Sequence, residues 1–260
     1  MRPSDALELE YRRTMTPMIR AMAREIHTDV MAVYRPWLKM QRAQVTGDAG
    51  IVSLLMRVFG DLETKWSVRA GKHAETTAPS FVEKVDNAVD FSFTRLVRSI
   101  GVEEDDLPQR PKRLAGKDHE TALDAAVAEN VGLIKSIPQE YLDQVQRDVL
   151  QAVQDGWPLD RLSESLQHRY GITKRRAELI ARDQCAKITG NMNAKRMSSA
   201  GFVEADWWHS AGSRYPRKSH MAANGRRFKI SDGCLIDDEH ILPGQKINCK
   251  CFMTPVIPGR

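Results

Sequence analysis

The chain has 260 residues, 42% hydrophobic and 28% charged, with a net charge of +5 and a pI near 9.0. That is enough for one large or two ordinary domains with a real core. No apolar run approaches the roughly 18 residues of a membrane span, and the opening Met1-Arg2-Pro3-Ser4-Asp5 has no apolar segment of a secretory leader. Four cysteines then suggest thiols in a reducing compartment, not a disulfide framework.

Residues 5–45 read as helix, because Leu7, Tyr11, Met15, Met18, Ile19, Met22 and Ile26 recur at helical spacing. Pro17 and Pro36 should break or kink it. After the turn at 47–50, a second helix is predicted over 51–70 and a third over 80–100, with Ser80 and Glu83 in the form of a capping box. Their apolar stripes suit a core or a partner helix. Residues 101–118 carry an acidic run, Pro108, Pro111 and a basic run, which read as a linker.

Helix resumes over 122–137, breaks at Ser136-Ile137-Pro138, and continues over 139–154 until Gly156. A short helix over 159–169 and a turn at Gly171-Ile172-Thr173 follow, with Thr173 as N-cap of a helix over 174–198. The apolar face of that helix is Ala177, Ile180, Ala181, Cys185, Ile188 and Met192, so Cys185 reads as a buried thiol. Beyond Gly201 the pattern suits strands at 202–208, 227–230 and 252–257. The expected fold is mainly α, with a helical N-terminal region and a small irregular α+β C-terminal unit. The chain divides into 1–103 (helical bundle or arm), the linker 104–118, and a domain over 119–260 made of helices 119–200 and the tail 201–260.

The tail concentrates the chemistry. Cys249-Lys250-Cys251 places two thiols one residue apart, with histidines upstream. Zinc takes Cys sulfur and His nitrogen in a closed tetrahedron and could hold such a strand-poor unit together. Cys249 and Cys251 are the first candidate ligands and His220 the next; Cys234 and His240 compete for the fourth place. A C-x-C pair is a weaker signature than C-x-x-C, so reduced cysteines and surface histidines in a metal-free unit are the competing reading, and a disulfide is a third.

The positive charge also lies late in the chain. Residues 173–199 hold seven Lys or Arg against two acids, and 203–260 hold nine against six. Candidate phosphate contacts are Lys174, Arg175, Arg176, Arg217, Lys218, Arg226 and Arg227; a solvated helix face explains the first three equally well. Trp207 and Trp208 could stack on bases, although paired tryptophans beside a strand more often belong to a core.

Over about residues 128–254 the chain resembles the phage head morphogenesis proteins similar to the minor head protein F of phage Mu. The resemblance rests on Asn130-Val131-x-Leu133-Ile134-Lys135-x-Ile137-Pro138, Gly156-x-x-Leu159-x-x-Leu162-x-x-x-Leu166, and Arg176-Ala177-x-x-Ile180-Ala181-Arg182-Asp183-Gln184. It continues through Asn191 or Asn193, Trp207 or Trp208, Arg217-x-x-His220, Gly225, Pro243 and Asn248-Cys249-Lys250-Cys251. The chain departs from the family at Ser213, where an acid is usual, at Asp183-Gln184, where Thr-Glu is usual, and at Lys250, where Arg is usual. If the missing acid served as a metal ligand or catalytic group, Ser213 cannot replace it.

The resemblance implies a minor capsid component of the virion, assembled in the bacterial host. Its partners would be the portal protein and other capsid or scaffold proteins, with non-specific contact to packaged or ejected double-stranded DNA and no membrane. Arg182 would organise the family-like unit by pairing with a buried acid or with carbonyls. Two other readings compete. One is a metal-dependent nuclease using His220, Asn224 and His240, with Asp232, Asp237, Asp238 and Glu239 as oxygen donors. The other is a zinc-containing nucleic-acid-binding module.

Overall fold

A computed structural model describes residues 1–43, 50–99, 117–210 and 216–256, without the side chain of residue 42. Four long helices come first: α1 (Asp5–Arg42), α2 (Ile51–Ser99), α3 (Lys117–Asp155) and α4 (Leu159–Ser199). The tail then supplies β1 (Glu204–Trp208), the short helix α5 (Lys218–Ala222), β2 (Arg227–Lys229), β3 (Cys234–Ile236), β4 (Glu239–Ile241) and β5 (Phe252–Pro255). The mainly helical architecture with a small strand-bearing C-terminal unit is as expected. Most of the linker reading, 104–116, lies outside the described residues, while Lys117 and Asp118 open α3.

The helix boundaries need correction. Pro17 and Pro36 lie inside the continuous α1, Pro79 inside α2, and Pro138 inside α3. The helices expected at 51–70 and 80–100 are one, so Ser80 is no N-cap; those at 122–137 and 139–154 are also one. A proline inside a helix costs about 3 kcal/mol. Each helix offsets this by burying apolar residues on both sides of it, at about 1.5–3 kcal/mol per large side chain. In α1 that stripe is Tyr11, Met15, Ile19, Met22, Ile26, Val30, Tyr34 and Leu38. Pro17, Pro36 and Pro79 are themselves exposed, on the side where water can satisfy a freed carbonyl.

The turn expected at 171–173 is likewise absent, because α4 runs through it. Thr173 caps nothing; its hydroxyl donates to the Arg169 carbonyl four residues back, at 3.0 Å. Gly156 does end α3, with φ +64. Trp157 N–H closes the end on the Ala152 carbonyl at 2.9 Å, and the Tyr34 hydroxyl donates to the Trp157 carbonyl at 2.7 Å.

The chain forms two compact units. One comprises Met1–Tyr11, Ala78–Glu129 and Leu179–Arg260; the other comprises Arg12–Thr77 and Asn130–Glu178. The division read along the sequence, at 103 and 118, is a division of the chain and not of these units. The second unit is a set of helical segments packed through stripes such as Leu55, Phe59, Leu62 and Trp66 on α2 and Ile134, Tyr141, Val145 and Val149 on α3. Arg169 grips Asp148 there with two bonds of 2.8 Å.

The first unit holds the tail. Its sheet has the order β2-β1-β5, all antiparallel, with Ala205 opposite Phe228 and Trp207 opposite Met253. Ala205 and Trp207 alternate inward and are fully buried. Phe93 and Val97 of α2, Met197 of α4, Phe228, Ile230 and Met253 complete that core. A separate hairpin pairs β3 with β4 through Asp237 and Asp238, both at positive φ. Such a turn favours Asn-Gly or Asp-Gly, and Asp-Asp does not announce it, so neither strand was expected.

Candidate metal centre

Three elements of the tail converge on one point. Arg217 starts α5 from extended backbone, and one turn later His220 is turned inward and buried. The imidazole meets Trp207 of β1 edge-on, with ring centroids 5.3 Å apart. Cys249 and Cys251 lie just before β5, and both are buried. Asn248 turns the chain into this pair with φ +63. Asn is among the few residues apart from glycine that adopt this conformation readily.

His220 Nδ1 lies 3.4 Å from Cys249 Sγ and 3.7 Å from Cys251 Sγ. The three ligand atoms all fall within 4.8 Å of one another, and among the described residues they are the one such group of His, Cys, Asp or Glu. All four cysteines are free thiols. Cys234 and His240, the two candidates for a fourth place, are outside the cluster. Cys234 is buried in the hairpin, where burial raises its thiol pKa. His240 is exposed, with its ring near the Gly233 carbonyl at 3.4 Å. The constellation of His220, Asn224 and His240 around one ion is therefore not found; the Asn224 amide oxygen instead accepts the His209 backbone N–H at 2.8 Å.

The surroundings favour negative charge on one of the two sulfurs, Cys249. The Gly244 and Cys251 backbone N–H groups face Cys249, and the Ser210 N–H faces Cys251. Trp207 Nε1 is buried on the Cys251 side with no hydrogen-bond partner. The neighbouring Cys251 side chain and His220 hold the Cys249 thiol far below its usual value, while the Cys249 sulfur and burial push Cys251 up. Beside them is a cavity of about 210 Å³, lined by His209, Ser210, Arg217, Asn248 and Lys250 as well as by His220, Cys249 and Cys251.

Helix α4 fastens this loop. Arg182 donates to the Asn248 side-chain oxygen at 3.0 Å and lies 3.4 Å from Glu8, and Asp183 accepts the Asn248 backbone N–H at 3.0 Å. Burial raises the Asp183 carboxyl, and the Asn248 N–H opposes that. Pro243-Gly244 lies flush on the same helix: a Cβ at Gly190 would sit 2.0 Å from the Pro243 oxygen. Arg182 thus meets both an acid and an amide. Nearby Arg196, 6% exposed, pairs with Asp86 at 2.6 Å and Asp90 at 3.2 Å. That buried cluster, which His119 joins at 3.2 Å from Asp86, escaped the sequence reading because Arg196 lies more than a hundred residues from either acid.

The basic candidates are divided between the two units. Lys174, Arg175 and Arg176 belong to one unit, and Arg217, Lys218, Arg226 and Arg227 to the other. Arg176 pairs with Glu140, Arg227 pairs with Asp206, and Arg217 and Arg226 donate to the carbonyls of Ile247 and Leu235. Lys174, Arg175 and Lys218 are exposed. Trp207 is a core residue; Trp208 is 36% exposed, and its indole donates to Thr254 at 2.7 Å.

Fold and site define a helical protein whose small α+β unit is built around a buried His-Cys-Cys cluster and clamped to one helix. Residues 143–254, which include that helix and the whole cluster, match the family described as phage Mu protein F like protein, so the resemblance read from the sequence holds over that stretch. A protein of Haemophilus influenzae (strain ATCC 51907 / DSM 11121 / KW20 / Rd), described as uncharacterized, is 29% identical over 257 residues, covering 98% of this chain. The chain spans about half, 54%, of that relative's length. No solved structure matches.

Proposed function

We propose that the chain is a minor head protein of a tailed phage or prophage, built into the procapsid beside the portal. The observation that carries this reading is the match to the Mu F-like family over residues 143–254. Long helices with buried stripes provide a scaffold, and no helix among the described residues is long and apolar enough to cross a membrane. The chain acts by binding and positioning other head components, not by turning over a substrate. It touches packaged or ejected DNA through exposed cations, among them Lys174, Arg175 and Lys218, without reading sequence.

The test is to isolate procapsids and mature heads from an induced host strain that encodes the chain and to quantify it by mass spectrometry. Cross-linking follows within the same particles. A few copies per particle, cross-linked to the portal, support the proposal. Heads of normal composition that lack the chain would refute it.

A further inference from the structure

We propose that His220, Cys249 and Cys251 bind one zinc ion, with its fourth coordination position facing the cavity that His209 lines. This goes beyond a head-protein role and does not depend on it. The distances carry the argument. A tetrahedral site with Zn–N of about 2.0–2.1 Å and Zn–S of about 2.3 Å has N···S edges of about 3.6 Å. The edges from His220 Nδ1 to the two sulfurs are 3.4 and 3.7 Å. One ring nitrogen therefore faces two thiols at once, as ligands of a shared ion do.

The second observation is the shell of donors. Backbone N–H groups of Gly244 and Cys251 face Cys249, that of Ser210 faces Cys251, and the buried Trp207 indole N–H on the Cys251 side has no hydrogen-bond partner. Neutral thiols are weak acceptors, whereas metal thiolates need such donors to spread their charge. The third is the hard–soft character of the set. Two sulfurs and an imidazole with no carboxylate in the cluster select zinc over magnesium or calcium. Of the described residues that line the cavity, His209 is the one further imidazole, one residue before the Ser210 amide. The remaining cations, Arg217 and Lys250, cannot ligate.

A Cys-His pair at hydrogen-bonding distance could instead be a nucleophile and its base. Here, though, the imidazole faces both sulfurs, and both are buried, at 3% and 5% exposed.

The experiment takes the full chain, purified under reduction, and measures bound metal by mass spectrometry. Cobalt(II) replacement gives the sulfur-to-cobalt charge-transfer band. Wild type, C185S, C234S and H240A should each hold about one zinc per chain, while H220A, C249S and C251S should lose it about tenfold or more. Because those variants could fail to fold, wild type is also titrated with a chromophoric chelator. Two thiols, located by mass spectrometry as Cys249 and Cys251, should become alkylatable only as zinc leaves.

Three results would overturn the assignment. One is a folded wild-type chain that neither retains added zinc nor shows the cobalt band. Another is full zinc retention in the H220A/C249S double variant. The third is rapid alkylation of Cys249 alone without chelator, which would make it a nucleophile.

Discussion

Asp183 on α4 accepts the backbone N–H of Asn248, 65 residues further along the chain, at 3.0 Å. That bond and the neighbouring one from Arg182 to the Asn248 side chain hold the left-handed turn that feeds Cys249 into the cluster. The Ile180-Ala181-Arg182-Asp183 segment and the Asn248-Cys249-Lys250-Cys251 segment are therefore two halves of one device. Asp183→Ala should cost about 1 kcal/mol. It should also speed amide hydrogen exchange at residues 248–251 while leaving exchange in α3 unchanged. Equal protection in variant and wild type would show that the bond does not hold the loop.

Glycine positions in two helices should respond with opposite sign. A Cβ at Gly190 would meet the Pro243 oxygen at 2.0 Å, whereas one at Gly132 meets nothing within 4 Å. Gly132→Ala should stabilise by about 0.5–1 kcal/mol through helix propensity. Gly190→Ala gains the same propensity but must push the 243–244 loop off α4, so a net loss is expected. Urea denaturation of the two variants compares them directly.

Arg196 neutralises two acids in a nearly dry setting. Arg196→Met leaves Asp90 without its cation and Asp86 with His119 alone, and should cost about 3–5 kcal/mol. The triple change R196M/D86N/D90N should recover much of that loss. If the single variant unfolds at the wild-type urea midpoint, the cluster does not contribute to stability.

Asp148 gives a pH dependence of known sign. The Arg169 hydrogen bonds hold its carboxyl below the usual carboxylate value. Its contribution is complete above the unfolded pKa of about 3.9 and fades as pH falls through the lower folded value. Asp148→Asn should destabilise the protein by about 1–3 kcal/mol near neutrality. The difference from wild type should shrink progressively below about pH 4. Stability curves between neutral and acid pH would check this.

Duplex binding should be weak and salt-dependent. Lys174 and Arg175 are exposed, while Arg176 and Arg227 already face acids. The variant K174A/R175A should weaken binding alike for unrelated sequences and reduce the slope of log affinity against log salt by up to about 2. Arg227→Ala should change it less. Fluorescence anisotropy at several salt concentrations separates these outcomes.

Local pattern by itself determined the helical content, the buried face from Ala177 to Met192, the C-terminal signal at Gly156, three tail strands, and the pairing of Cys249, Cys251 and His220 as candidates. These follow from periodicity and residue chemistry, which act over a few positions. The tertiary structure decided what depends on distant partners. Helices run through Pro17, Pro36, Pro79 and Pro138 because buried stripes outweigh a local penalty. Thr173 has the chemistry of a cap yet lies mid-helix for the same reason. Cys234 and His240 have the right chemistry for ligands, but the β3–β4 hairpin carries them outside the cluster. Asp183, Asn248, Trp207 and Gly190 owe their roles to the docking of the tail on α4. That contact joins residues 50 or more positions apart, and no short-range pattern encodes it.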